Sequence, residues 1–251
     1  MKRSNKRIIP GFGLSMGVTV TLLSVIVLIP LASLVIFTAQ LSFSDIIAVI
    51  TRDRVLASFK VSFLTAFVAS LINAVMGVIL AWVLVRYDFP FKRILDGMIE
   101  LPFALPTAVA GIALTSLTAD KGIIGSFFAR FGIKIAYTRA GITVALVFIG
   151  IPFVVRAVQP VLEKLDGSLE EAASTLGASR SRTFRQVIFP EIMPAVFTGF
   201  GLAFGRCLGE YGSVVFIAGN QPFETEITPL IIMSELQEYD YASATAIALV
   251  M

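Results

Sequence analysis

The apolar positions of this chain come in blocks too long for a soluble helix or a strand. Ile8 to Ser44 holds no Asp, Glu, Lys or Arg over 37 residues, Val61 to Val85 none over 25, and Leu101 to Ala119 none over 19. A helix of about 20 apolar residues crosses the roughly 30 Å hydrocarbon core of a bilayer. The pattern therefore predicts spans at about 12–38, 60–85, 97–118, 140–159 and 195–219, with a sixth starting near Tyr239. From Tyr239 to Met251 there are about a dozen apolar residues, too few to cross, so the last helix is expected to be truncated in this sequence. The expected fold is an all-α membrane protein of six transmembrane helices. Neither a soluble domain, a low-complexity tract nor an internal repeat interrupts it.

Composition agrees: 57% of the 251 residues are hydrophobic and 15% charged, well outside the balance of a soluble domain. The basic N-terminus MKRSNKR and the apolar run after it imitate a signal peptide. The run is far longer than a signal's apolar region and lacks a clean cleavage site, so it reads as a retained first span. With that terminus inside, eleven Lys and Arg fall on inner segments (Lys2, Arg3, Lys6, Arg7, Arg86, Lys92, Arg93, Lys164, Arg180, Arg182, Arg185) and seven on outer ones. The bias favours a cytoplasmic N-terminus, although Lys121, Arg130, Lys134 and Arg139 crowd one outer loop against the rule. In that loop, GIIGSFFARFGIKI has apolar residues at near-helical spacing, suited to a short helix at the membrane interface. The bases are dispersed around apolar spans and form no clustered face, so nucleic acid is not an expected partner; membrane lipid is.

One polar stretch interrupts the apolar chain, LEEAASTLGASRSRTFRQVIFP from Leu169 to Pro190. Ser168 followed three residues later by Glu171 is a capping-box pattern, which predicts a helix from Leu169 with Glu170 and Glu171 against the positive end of its dipole. Gly177 should stop that helix, and Ser179 should cap a second one through Arg180 to Ile188 that Pro190 closes. Ala172, Ala173 and Leu176 make a small, shallow face that another surface can approach closely. Phe184, Val187 and Ile188 make a larger one suited to neighbouring helices. On these residues alone, a docking element and a solvated helical loop stand side by side.

Two further constellations bear charge or proline inside apolar spans. Pro102 and Pro106, in DGMIELPFALPTAVAG, each remove a backbone donor and should kink or break the third span, either lining a path or bending it for structural reasons. Arg206 and Glu210, in GRCLGEYGSVVFIAGN, lie four apart on one face of an expected helix. They either neutralise each other within the bundle or present Arg206 to a passing anion while Glu210 holds it or shapes a gate. Arg156 lies near the inner end of its span and can snorkel, which suits a structural role, and Cys207 reads as a small packing residue.

Chemistry is otherwise excluded. There is no histidine and one cysteine, so the usual metal ligands and general base are missing and no metal site is expected. No G-x-x-x-x-G-K-[ST] occurs, so the chain has no P-loop of its own, and no catalytic constellation is found.

The run Glu171, Ala172, Ala173, three residues, Gly177, nine residues, then Val187, Ile188, Phe189, Pro190 resembles the EAA loop of ABC importer permeases, E-A-A-x3-G-x9-I-x-L-P, with Val187 and Phe189 as conservative departures. LPFALPTAVAG and RCLGEYGSVVFIAGN, supported by PGFGLSMG and FVVRAVQPVLEKL, are similar to the sulfate/thiosulfate importer permeases, T-type. The likeness covers about residues 55 to 251, the permease core with its cytoplasmic loop 160–194; residues 1–54 add a tail, a first helix and an outer loop.

The resemblance implies a type I ABC permease in the bacterial inner membrane whose loop docks a separate ATPase through Glu170, Glu171, Ala172, Ala173, Leu176 and Gly177. It implies that ATP and Mg2+ bind that ATPase, and that this chain binds no cofactor and is no enzyme. The implied partners are a W-type permease, two ATPase subunits and a periplasmic or lipid-anchored sulfate/thiosulfate-binding protein. A molybdate or tungstate permease, which shares the loop and an R-x-L-G-E-[FY]-G stretch, is the nearest competing expectation; a stand-alone channel or membrane enzyme is a more distant one.

Overall fold

The computed structural model of the chain describes residues 12–251. The N-terminal bases Lys2, Arg3, Lys6 and Arg7 lie outside the described residues. The described residues divide into two compact units, one gathering residues 12–52 with Ile232–Met251, the other Asp53–Ile231.

In the first unit, α1 (Phe12–Thr38) is apolar on every side and exposed along its length, the surface of a helix made for lipid. The short α2 (Phe43–Ile50) opens on a capping box unforeseen from sequence. Ser42 Oγ accepts the Asp45 N–H at 3.2 Å while the Asp45 carboxylate accepts the Ser42 N–H at 3.3 Å. Asp240 starts α13 (Tyr241–Val250) by accepting the Ser243 N–H at 3.0 Å, and α13 packs on α1 and α2.

The second unit is built on three helices packed together: α3 (Asp53–Arg86), α7 (Arg139–Lys164) and α10 (Phe189–Leu208). Small residues set their spacing. A Cβ on Gly77 of α3 would lie 2.6 Å from the Val154 side chain, and one on Gly199 of α10 would lie 2.8 Å from the Val154 Cα. Without a hydrophobic drive between helices in lipid, such close backbone approach supplies the packing. Gly199→Ala is accordingly expected to cost about 1 kcal/mol or more by overpacking, read as a lowered Tm of the detergent-extracted protein. An unchanged Tm would show that the interface has room. A related contact sets Gly150 of α7 against the wholly buried Asn73 of α3, whose amide has no hydrogen-bond partner among the described residues.

The spans follow the apolar blocks with three informative differences. First, α3 begins at Asp53 rather than near residue 60; Lys60 lies exposed in its early turns and does not interrupt it.

Second, the third span is broken into α4 (Lys92–Ala104) and α5 (Thr107–Thr118), bent by 115°. Pro102 sits inside α4 without ending it. The break falls at Leu105, whose ψ of 138° is the extended conformation that a following proline imposes, and Pro106 opens α5.

Third, the fifth span is displaced towards the N-terminus. Instead of 195–219, one apolar helical run covers Arg180–Leu208, comprising α9 (Arg180–Thr183), a π-helical turn (Phe184–Ile188) and α10. Beyond it only α11 (Val214–Ile217) is helical before α12 (Thr228–Gln237).

A short helix is present in that loop, α6 (Ile123–Ala129), with Ile123, Phe127 and the following Phe131 exposed. Among the described residues four helices are long and apolar enough to cross a membrane, five where the broken pair counts as one span.

Candidate functional site

The polar hairpin folds as a helix, a glycine turn and a second helix, but its first cap differs from expectation. In α8 (Ser168–Thr175) the Ser168 side chain caps nothing and no capping box with Glu171 forms. The Asp166 carboxylate takes the Ser168 N–H instead, at 3.0 Å, so the role expected of Ser168 falls two residues earlier. That backbone bond, followed by one from the Ser168 hydroxyl, holds the Asp166 carboxyl below its ordinary range. A depressed carboxylate contributes its stability above its unfolded pKa and loses it only as pH falls through the folded value, so this cap is intact at neutral pH.

The other end is a Schellman stop. Gly177 N–H donates to Ser174 O at 2.9 Å and Ala178 N–H to Ala173 O at 3.0 Å, with Gly177 at φ +76°. Ser179 then caps α9 as expected, accepting the Arg182 N–H.

Pro190 does not close the second helix. Its missing N–H and its ring would both conflict with the carbonyl of Gln186 in an unbroken α-helix. The π turn before it relieves the conflict, with Phe189 N–H reaching back to Phe184 O, and the chain continues into α10.

The hairpin leaves Glu171, Ala172, Leu176 and Gly177 exposed, Leu176 at 87%, and turns Glu170 inward, where it meets Arg86 at 2.5 Å. Ala173 is half-buried.

Arg206 and Glu210 do pair, at 2.6 Å, yet not on one helical face, because α10 ends at Leu208 and Glu210 lies in the turn beyond. Glu210 is 2% exposed and fully used: Oε2 faces Arg206, and Oε1 accepts the Ser213 N–H at 2.8 Å and hydroxyl at 3.0 Å. Its carboxylate thus shapes the loop from Gly209 to Ser213, while the Arg206 side chain remains 35% exposed. The same loop touches the second half of the broken span: Gly212 packs on Thr107, and a Cβ on Gly111 would come within 2.5 Å of Ser213 O. The structure thereby brings Pro106, at the head of α5, close in space to the Arg206–Glu210 turn, whereas Pro102 stays a turn away inside α4.

Sequence reasoning missed what Arg156 does. Its guanidinium meets Asp96 at 2.8 Å, Glu100 at 2.7 Å and the Gln159 amide oxygen at 2.6 Å, tying α7 to α4. The i, i+4 spacing of Asp96 and Glu100 on one helix was the available signal.

Comparisons with known proteins agree with this architecture. Residues 73–251 match the family described as binding-protein-dependent transport system inner membrane component. The sulfate transport system permease protein CysT of Salmonella typhimurium is 51% identical over 248 residues, covering 99% of this chain and 90% of that protein. Its namesake in Synechocystis is 47% identical over 234 residues, covering 93% of this chain and 82% of that protein. Among solved structures, a chain of a bacterial alginate ABC transporter, crystallised with an alginate pentasaccharide-bound periplasmic protein, superposes with a TM-score of 0.74. At 17% identity over 98% of this chain and 92% of that one, it attests the fold alone. The chain is a multi-pass membrane protein that belongs to the binding-protein-dependent transport system inner membrane components and, within them, to the family of the sulfate transport system permeases.

Proposed function

We propose that this chain is a transmembrane permease subunit of an ATP-driven importer of sulfate and thiosulfate. The observation that carries this reading is the 51% likeness to a sulfate transport system permease along 99% of the chain. It favours sulfate over the molybdate or tungstate alternative. The chain has no P-loop, so ATP and its Mg2+ bind a separate ATPase, and no reaction is catalysed here.

In this reading the hairpin end is cytoplasmic, as is the N-terminus. The exposed face of Glu171, Ala172, Leu176 and Gly177 receives the ATPase. A W-type permease completes the membrane part, and a periplasmic or lipid-anchored binding protein delivers the anion from outside. ATP binding favours one of two arrangements of the helices because the docked ATPases differ in affinity for them. The anion travels beside the broken span, with Arg206 as its positive site, Glu210 as the residue that fixes Arg206, and Pro106 and Pro102 as shapers of the path.

The test is radiolabelled sulfate uptake by cells lacking this permease and supplied with it again together with its partners. Restored uptake, competed by thiosulfate better than by molybdate, is expected. Uptake competed chiefly by molybdate would overturn the substrate, and no energy-dependent uptake would overturn the transport reading.

A further inference from the structure

The last turn of α3 grips both arms of the hairpin. Arg86 ends α3, where its charge suits the negative end of the helix dipole. Its guanidinium lies 5.5 Å from the centre of the Trp82 ring, one turn earlier, and 2.5 Å from Glu170 on the first arm. The Trp82 ring meets Phe184 edge-on at 5.4 Å, at the start of the π turn on the second arm. Arg86 and Glu170 are each about a quarter to a third exposed, so the pair is shielded in part from the water and salt that weaken surface pairs. Between the arms remains a cleft of about 410 Å3, bordered by Tyr87, Ser174 and Arg180.

Two adjacent acids in α8 therefore have different surroundings. Glu171 is exposed, and Glu170 is spent inside the chain. From Arg86, α3 runs 34 residues, roughly 50 Å, to its other end. There Arg54 holds Glu226 through two bonds of 2.8 and 2.6 Å, and Ser62 accepts the Thr228 N–H at 2.8 Å.

We propose that Arg86 and Trp82 are positioning residues that clamp the hairpin to α3, so that displacement of the hairpin is delivered to α3 through Glu170 and Phe184. This rests on the reading of the hairpin as the ATPase-docking element. In it Glu170 acts inward on Arg86, and Glu171 is the acid left to the partner.

The test uses the assembled importer in proteoliposomes, with Arg86→Met, Glu170→Gln and the exchange Arg86→Glu/Glu170→Arg. Both single variants are expected to keep the ATPase bound on purification and to keep hydrolysing ATP. Their sulfate uptake should fall about tenfold, so that ATP consumed per anion rises, and the charge exchange, which restores the pair but not the contact with Trp82 or the match to the helix dipoles, should recover part of the loss. A purely structural pair would lower hydrolysis and uptake together.

Uptake within about twofold of wild type in both single variants would overturn the clamp. So would release of the ATPase by Glu170→Gln, which would make Glu170 a direct docking residue. If Arg86→Met does not accumulate, Arg86→Lys, which keeps the charge without the planar fork, is read the same way. Failure of the wild-type complex to import sulfate would overturn the proposed function instead. The clamp is then judged from amide hydrogen exchange of residues 168–176, which loss of Arg86 must accelerate.

Discussion

Arg206→Met is expected to destabilise the folded chain by about 3–5 kcal/mol, because it strands the Glu210 carboxylate without its counter-charge. Glu210 is 2% exposed, and the two bonds from Ser213 cannot replace the cation. The expected readout is a loss of monodisperse protein after detergent extraction and mild heating. Arg206→Met/Glu210→Gln should behave differently: with both charges gone and an amide oxygen still facing Ser213, stability should return to within about 1 kcal/mol of wild type. Equal stability of Arg206→Met and wild type would show that the pair is solvated. The double variant is also the one in which transport can be interpreted. A fall in sulfate uptake by about tenfold or more, with normal assembly, assigns Arg206 an electrostatic role towards the anion. Wild-type uptake leaves it a structural partner of Glu210.

The second large effect is expected at Gly177. No atom lies within 4 Å of where its Cβ would be, so a side chain meets no obstacle and the whole cost is backbone conformation at φ +76°. An ordinary L-residue pays about 1–2 kcal/mol there, a β-branched one more, while asparagine tolerates the region. An eight-residue helix has little stability of its own with which to offset that loss. Gly177→Val should therefore unravel the end of α8 and cut uptake about tenfold, while Gly177→Asn stays within about twofold of wild type. Membrane vesicles normalised for assembled complex give the comparison. Equal uptake by the valine variant would show that the turn carries no displacement.

The spans and the hairpin were legible because they rest on local properties. Uncharged length selects α1, α3 and the broken pair of α4 and α5, and a glycine followed by a serine cap marks Gly177 and Ser179 whatever surrounds them. The misjudged points depend on competition between neighbours. Pro190 reads as a stop until a π turn shifts the hydrogen-bond register ahead of it, with Phe189 N–H on Phe184 O, and that shift has no signature in residue types. The expected box at Ser168 failed because Asp166, two residues earlier, takes the Ser168 N–H that Glu171 was to take, and the Glu171 N–H goes to Gly167 O. Glu210 looked like a helical partner of Arg206 at spacing four, but glycines at 209 and 212 end the helix and allow the chain to fold against Thr107. The pairs Arg86–Glu170 and Arg156–Asp96 join residues 84 and 60 positions apart, which no periodicity connects.

The unbroken run from Arg180 to Leu208 has a consequence for azimuth. Each residue of an α-helix turns the chain by about 100°, so the π turn, equivalent to one inserted residue, sets the compass bearing of Arg206 relative to the hairpin. Restoring an ordinary α-helical winding at Phe184–Ile188 would rotate the guanidinium by that angle with every contact of α9 left in place. The irregularity that accommodates Pro190 is thus also what aims the far end of the helix.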